Sequence, residues 1–273
     1  MDPASNAEPD AHVSAPERES IRLLQISDTH FGCDPGFEFD GVNPRRSLAC
    51  LIAQIRRQDP VVDAFLATGD LSHDASPESY LALRDALQPL ETPVFCIPGN
   101  HDDPETMQRY LTGGWVACPE AVQLGDWHLL LLSTHLPGSQ GGRLGAGRLG
   151  ALDAALSAQP QRHALVVMHH PPMPIGSPWM DAMGLQDGED FFAVLDRHPQ
   201  VRAVLWGHIH QEIEAQRKGV RLWGAPSTCV QFKPGATRYE LDDRPAGHRR
   251  LILYSDGRIL TQVVRQASGN TRG

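Results

Sequence analysis

The chain has 273 residues, of which 41% are hydrophobic and 21% charged, with a net charge of −9. This is ordinary for a globular protein long enough to bury its own core. The acidic balance excludes bulk nucleic-acid binding, which needs a basic footprint, and no apolar run approaches the ~18 residues of a membrane span.

The first 20 residues are polar, acidic and rich in Pro and Ala, without the apolar stretch of a signal peptide. They are expected to be a disordered tail ahead of one domain over 21–273, in a cytoplasmic protein. Residues 21–27, IRLLQIS, predict a buried strand. Residues 43–58 predict a helix: Asn43 is an N-cap, Pro44 suits the first turn, and Leu48, Leu51, Ile52 and Ile55 share a face. Residues 61–68 are the next strand, 76–87 a second helix capped by Ser76, and 93–98 a third strand.

A hairpin is expected over 120–134, turning at Gly125–Asp126. A helix over 147–158, a strand over 163–170, a helix over 189–199 and a strand over 201–210 follow. The rest is β-rich, with turns at Lys218–Gly219 and Asp256–Gly257. Gly-rich residues 138–150 and Pro/Met-rich residues 171–188 read as loops. The order predicts an α/β chain (α+β mixed sheets), its sheets covered by helices.

The predicted strands end alike. The first runs into SDTH (Asp28, His30), the second into TGD (Asp70), and the third into GNHD (Asn100, His101, Asp102). Two later strands run into MHHP (His169, His170) and GHIH (His208, His210). In open α/β sheets a ligand site lies beyond the carboxyl ends of the strands, so these groups are expected to converge. Imidazole and carboxylate donors suit Mn, Fe or Zn.

Asp28, His30, Asp70, Asn100, His169, His208 and His210 are the candidate ligands. They are too many for one ion and enough for two bridged by a carboxylate. The i, i+2 spacing of Asp28/His30 and His208/His210 points each pair to one side if the backbone is extended. Gly69, Gly99 and Gly207 precede candidate ligands and permit unusual dihedrals or close approach. His101 is placed to protonate a leaving oxygen or stabilise phosphoryl charge. Asp102 either orients that imidazole or caps the following helix. His73 and His135 read either as ordinary loop histidines or as residues approaching the pocket, and His170 as a structural residue or one supporting the ligands. The five cysteines, scattered and without a CxxC, read as reduced and mostly buried thiols.

The set D-x-H, G-D, G-N-H-[DE], H and G-H-x-H resembles the calcineurin-like metallophosphoesterase superfamily, over about residues 23–210. The stretches LLQISDTHFG, LATGDLS, IPGNHDD, VLWGHIHQE and PSTCVQFKPG resemble bacterial class III 3′,5′-cyclic-AMP phosphodiesterases more narrowly. The resemblance implies a four-layer α-β-β-α sandwich with Asp28, His30 and His210 on one ion, Asp70 bridging, and Asn100, His169 and His208 on the other.

It also implies two divalent ions, Mn or Fe before Zn, and hydrolysis of 3′,5′-cyclic AMP to 5′-AMP by a metal-bridging hydroxide. Asn100, His101 and His210 would meet the substrate phosphate, with His101 catalytic. The expected partners are a small cyclic nucleotide or other phosphodiester and a second copy in a homodimer, with neither nucleic acid nor membrane. Segments 136–147, 172–188 and 227–235 are candidates to hold base and ribose, and Trp179, Met180 or Met183 to touch a purine. The alternatives are a broader phosphodiesterase or phosphomonoesterase, taking 2′,3′-cyclic nucleotides or aryl phosphodiesters, and a non-catalytic metal-binding scaffold.

Overall fold

The computed structural model describes residues 20–59 and 61–267; the expected N-terminal tail lies outside them, apart from Ser20. Strand β1 (Ser20–Ile26) is followed by α1 (Pro44–Gln58), β2 (Ala64–Thr68), α2 (Pro77–Leu87), β3 (Val94–Ile97), α3 (Pro104–Tyr110) and a two-residue strand β4 (Val116–Ala117). The second half runs β5 (Ala121–Leu124), β6 (Trp127–Leu131), α4 (Gly145–Ala158), β7 (His163–Val167), α5 (Pro178–Asp181), α6 (Gly188–Leu195) and β8 (Val201–Trp206). It closes with β9 (Ile213–Arg217), β10 (Val220–Gly224), β11 (Gln231–Phe232), β12 (Leu241–Asp242), β13 (Gly247–Tyr254) and β14 (Ile259–Arg265).

Two mixed six-stranded sheets form, ordered β14-β13-β1-β2-β3-β4 and β5-β6-β7-β8-β10-β9. Period-2 alternation decides their layering. In β1, β2, β7 and β8, Leu23, Leu66, Leu165 and Leu205 pack in the apolar layer between the sheets. Their neighbours Leu24, Phe65, Val166 and Val204 face outward. Outward residues of the first sheet meet Leu48, Leu51 and Ile55 of α1, Tyr80 and Leu83 of α2 and Met107 of α3. Those of the second meet Leu152 and Leu156 of α4 and Phe191 and Leu195 of α6. The result is the expected four-layer α-β-β-α arrangement.

Both predicted caps form: Asn43 and Ser76 accept from the amides of Arg46 and Ser79. The three hairpin turns fall where expected. Three expectations change. Strands 163–170 and 201–210 stop at Val167 and Trp206. Helix 189–199 ends at Leu195. The loop read over 171–188 contains the short helix α5, which begins at Pro178 and buries Met180. Among the described residues, no helix is long and apolar enough to cross a membrane.

Candidate metal centre

All seven candidate ligands, with His101, lie just beyond the ends of β1, β2, β3, β7 and β8. Parallel pairing of β1 with β2 and β2 with β3 sets three of those ends side by side, and β7 with β8 the other two. The means of convergence differs from the extended-backbone expectation. Asp28, His30, Asp70, His208 and His210 all have positive φ, between 48° and 67°. Each is a left-handed turn residue, a conformation unfavourable for non-glycine side chains and concentrated at functional sites. Gly99 shows the crowding: a Cβ there would lie 2.2 Å from Asp70 Oδ1 and 2.8 Å from His169 Cε1.

The donors form two overlapping groups. Asp28, His30 and His210 are one: His30 Nε2 lies 3.3 Å from His210 Nε2, and His210 Nε2 lies 3.5 Å from Asp28 Oδ1. Asn100 Oδ1 lies 3.2 Å from His169 Nε2, and the His169 ring is 5.0 Å from that of His208. The Asp70 carboxylate stands between them, Oδ2 3.9 Å from His30 Nε2 and Oδ1 3.4 Å from His169 Nε2. Asp28, Asp70 and His169 also form a donor group of their own.

The outer ring nitrogens are held by main-chain carbonyls. His169 Nδ1 donates to Thr68 O at 2.8 Å and His210 Nδ1 to Val230 O at 2.8 Å. This fixes each tautomer and turns the Nε2 lone pair inward, as for metal-binding imidazoles. His208 Nε2 is buried with no hydrogen-bond partner, although buried polar atoms are nearly always partnered. Burial raises the Asp70 pKa, but the facing His169 imidazolium outweighs it and holds the carboxyl well below its usual range; Asp70 in turn outweighs burial at His169 and raises it to about 9. Burial pushes the His30 and His208 pKa values well down, so both rings are neutral. Imidazoles, carboxylates and one amide oxygen are the donor chemistry of a borderline divalent ion, which would replace the His169 proton.

His101 Nδ1 donates to His73 O at 3.1 Å, and its amide donates to Asp70 Oδ1 at 2.9 Å. The Nδ1 bond leaves Nε2 as the working atom of His101. Asp102 fills neither role expected of it. Its carboxylate accepts from the amides of Gly99, Leu71 and Ser72 and from Tyr80 Oη, at 2.8 to 3.1 Å. It therefore ties the turn carrying Asp70 to the turn carrying Asn100 and His101, while Asp103 caps α3 through the Thr106 amide.

His73 is not an ordinary loop histidine: its ring stacks on His101 at 4.9 Å and its Nδ1 lies 3.3 Å from His30 Nδ1. His135 Nδ1 donates to Gly99 O at 3.0 Å. His170 lies between Thr134 Oγ1 and Gln140 O, against the His169 and His208 rings. Segment 136–147 thus buttresses His170.

Trp179 and the 227–235 segment, both candidates for substrate contact, join residues not singled out in the sequence to complete the surroundings. Phe232 stacks on His210 with centroids 4.0 Å apart, and Trp179 and Tyr239 pack edge-on to Phe232. Phe39 lies against His30 and His73, and Tyr239 Oη donates to Asp40. Met180 is a core residue, 1% exposed, which removes it from the purine-contact candidates.

Residues 21–212 match the calcineurin-like phosphoesterase family model, and the chain belongs to that family. It is 40% identical, over 93% of each chain, to the 3′,5′-cyclic adenosine monophosphate phosphodiesterase CpdA of Pseudomonas aeruginosa. It is 37% identical to the 3′,5′-cyclic-nucleotide phosphodiesterase alr5338 of a Nostoc species, over 91% of this chain and 94% of that one. Among solved structures, a dimetal phosphatase from Danio rerio superposes with TM-score 0.62 and 15% identity, covering 90% of this chain and 99% of that one, and shares the fold.

Proposed function

We propose that the chain hydrolyses 3′,5′-cyclic AMP to 5′-AMP with two divalent ions, manganese or iron, held at the strand ends. The observation that carries the two-ion reading is the Asp70 carboxylate between His30 and His169. The substrate reading is supported by relatives that bear that activity in their names over almost the whole chain.

Asp28, His30 and His210 would hold one ion, Asn100, His169 and His208 the other, with Asp70 shared. The bound ions supply Lewis acidity that neutralises phosphoryl oxygens and lowers the pKa of water toward about 7. The chain's own residues do the rest. The main-chain carbonyls of Thr68 and Val230 keep His169 and His210 in register. Protonated His101, held through Nδ1 by His73 O, gives the proton on Nε2 to the departing 3′-oxygen. Phe232, with Trp179 and Tyr239 around it, offers an apolar wall beside His210 for the purine. Exposed free thiols at Cys33 and Cys50 support a reducing cytoplasmic setting.

The test is a rate comparison on metal-stripped protein reloaded with Mn²⁺, using 3′,5′-cAMP, 3′,5′-cGMP, 2′,3′-cAMP, bis-p-nitrophenyl phosphate and p-nitrophenyl phosphate. The expected result is the highest kcat/KM on 3′,5′-cAMP. An aryl diester turned over faster by orders of magnitude would make the chain a general phosphodiesterase. Full metal binding without turnover of any substrate would make it a scaffold.

A further inference from the structure

Away from the histidine-lined centre, two thiols meet. Cys96 lies in β3, and Cys118 is the residue after β4. Parallel pairing sets Val94 against Val116 and Phe95 against Ala117, and Cys96 and Cys118 are the next residue of each segment. Neighbouring strands run about 4.8 Å apart, inside the roughly 4.4–6.8 Å Cα separation that a disulfide spans. Both side chains line one cavity, and the two thiols are in hydrogen-bond contact.

The pair differs from the other cysteines. Cys33 and Cys50 are exposed and Cys229 is buried, so the expectation of mostly buried thiols fails for the first two. Cys96 and Cys118 together line a cavity of about 310 Å³, with Pro104, Gln108, Glu120 and Arg148 also on its wall. Cys96 is 1% exposed, whereas Cys118 is half-buried and also accepts from Thr112 Oγ1 at 3.9 Å. The hydrogen bond from Cys96 favours the Cys118 thiolate and pulls its pKa down, while the same contact and burial push Cys96 up. The sulfurs are thereby unequal: Cys118, half-buried, is the more accessible and the more readily deprotonated, with Cys96 behind it.

We propose that Cys96 and Cys118 form a redox-active dithiol that a hydroperoxide converts to an intramolecular disulfide. The Cys118 sulfur attacks the hydroperoxide, ROOH. Its O–O bond breaks, the alcohol ROH leaves with the Cys118 proton, and Cys118 becomes a sulfenic acid. The Cys96 sulfur then attacks the Cys118 sulfur. The S–S bond forms, the S–O bond breaks, and hydroxide leaves with the Cys96 proton as water. In sum, two thiols and ROOH give one disulfide, ROH and water. The ring so closed spans residues 96–118 and contains Asn100 and His101, so the cross-link staples the segment that presents both to the metal centre.

The experiment treats the manganese-loaded chain with tert-butyl hydroperoxide, alkylates remaining thiols after denaturation, and maps the peptides by mass. The expected product joins the Cys96 and Cys118 peptides, two hydrogens lighter than the reduced pair, and dithiothreitol reverses it. Cys118→Ser should leave Cys96 fully alkylatable at the same dose. Cys96→Ser should let dimedone trap a sulfenic acid at Cys118. The wild-type map decides the matter even if a variant folds poorly. Cys96 and Cys118 remaining free thiols while Cys33 and Cys50 oxidise would overturn the proposal, as would Cys118 cross-linking to any other cysteine.

Discussion

The two ends of β1 and β2 set a chemical site against a mere hollow. At the amino ends lies a groove of about 590 Å³, walled by Leu23, Leu24, Val62, Ile252 and Leu260 with Arg22, Asp59 and Arg250. It is roomy, and its charges are spent locally: Arg250 pairs with Asp59 at 2.6 Å. At the carboxyl ends of the same strands there is far more chemistry. Five non-glycine residues there adopt left-handed backbone, and one buried imidazole nitrogen has no partner. Volume alone therefore does not mark a site. The coincidence of an unpaired donor with clustered backbone strain does, since each alone also occurs elsewhere, as at His248 and Glu91.

The sharpest way to break the comparison is Asp70→Ala. Removing the carboxylate shared by both donor groups should abolish turnover and reduce bound metal, read by rate assay and metal analysis of the same sample. A variant that kept two ions and full rate would reduce the carboxyl end to a structural cluster. Next in size is His101→Gln, which should cost about 10²–10⁴ in kcat, the range for a positioned general acid, while metal content stays whole. If metal is lost instead, His101 belongs to the ion-binding set.

How much of this was legible follows from which interactions are local. The strand ends and the helix caps at Asn43 and Ser76 could be read because apolar periodicity and capping residues act within a few positions. The end of β8 could not. Ile209 is fully buried, so the apolar alternation runs on past Trp206, although His208 and His210 have left the strand with φ of 67° and 48°. Asp102 looked like a cap because it stands before a proline two residues on. Its partners at Leu71, Ser72 and Tyr80 are fixed only when two loops meet. Tyr239 escaped notice for the same reason: it sits in no motif and is brought in by tertiary packing, while His73 and the segment holding Phe232 were flagged but not their contacts.

Phe232→Ala tests that last group and carries a smaller effect. Base–aromatic stacking is worth about 1–3 kcal/mol, so KM for 3′,5′-cAMP should rise about 5- to 150-fold. KM for bis-p-nitrophenyl phosphate should move less, and metal content should hold. Equal losses on both substrates would mean that Phe232 serves only to seat His210, on which it stacks.

The smallest effect belongs to His248 of β13, one residue beyond the Gln25–Arg249 pair and outside the donor set. This ring is fully buried, and neither nitrogen has a hydrogen-bond partner. Asp59 lies 4.0 Å from Nε2, but its carboxylate is already taken by Arg250. Burial, reinforced by the Arg250 charge, pulls the His248 pKa down to about 4, against about 6.5 in an unfolded chain. Between those values the unfolded chain binds the proton that the folded one refuses. The neutral ring therefore costs nothing above pH 6.5, and stability is lost progressively as pH falls from 6.5 through 4. His248→Leu should remove about 1–3 kcal/mol of that acid sensitivity, seen as a flatter dependence of Tm on pH between 4 and 6.5. Activity at pH 7.5 should be largely retained, because His248 is already neutral there and is not one of the donors. An unaltered Tm profile would assign the acid sensitivity to the histidines of the metal centre, and the same titration repeated with Mn²⁺ bound would then shift where the His248→Leu profile had not.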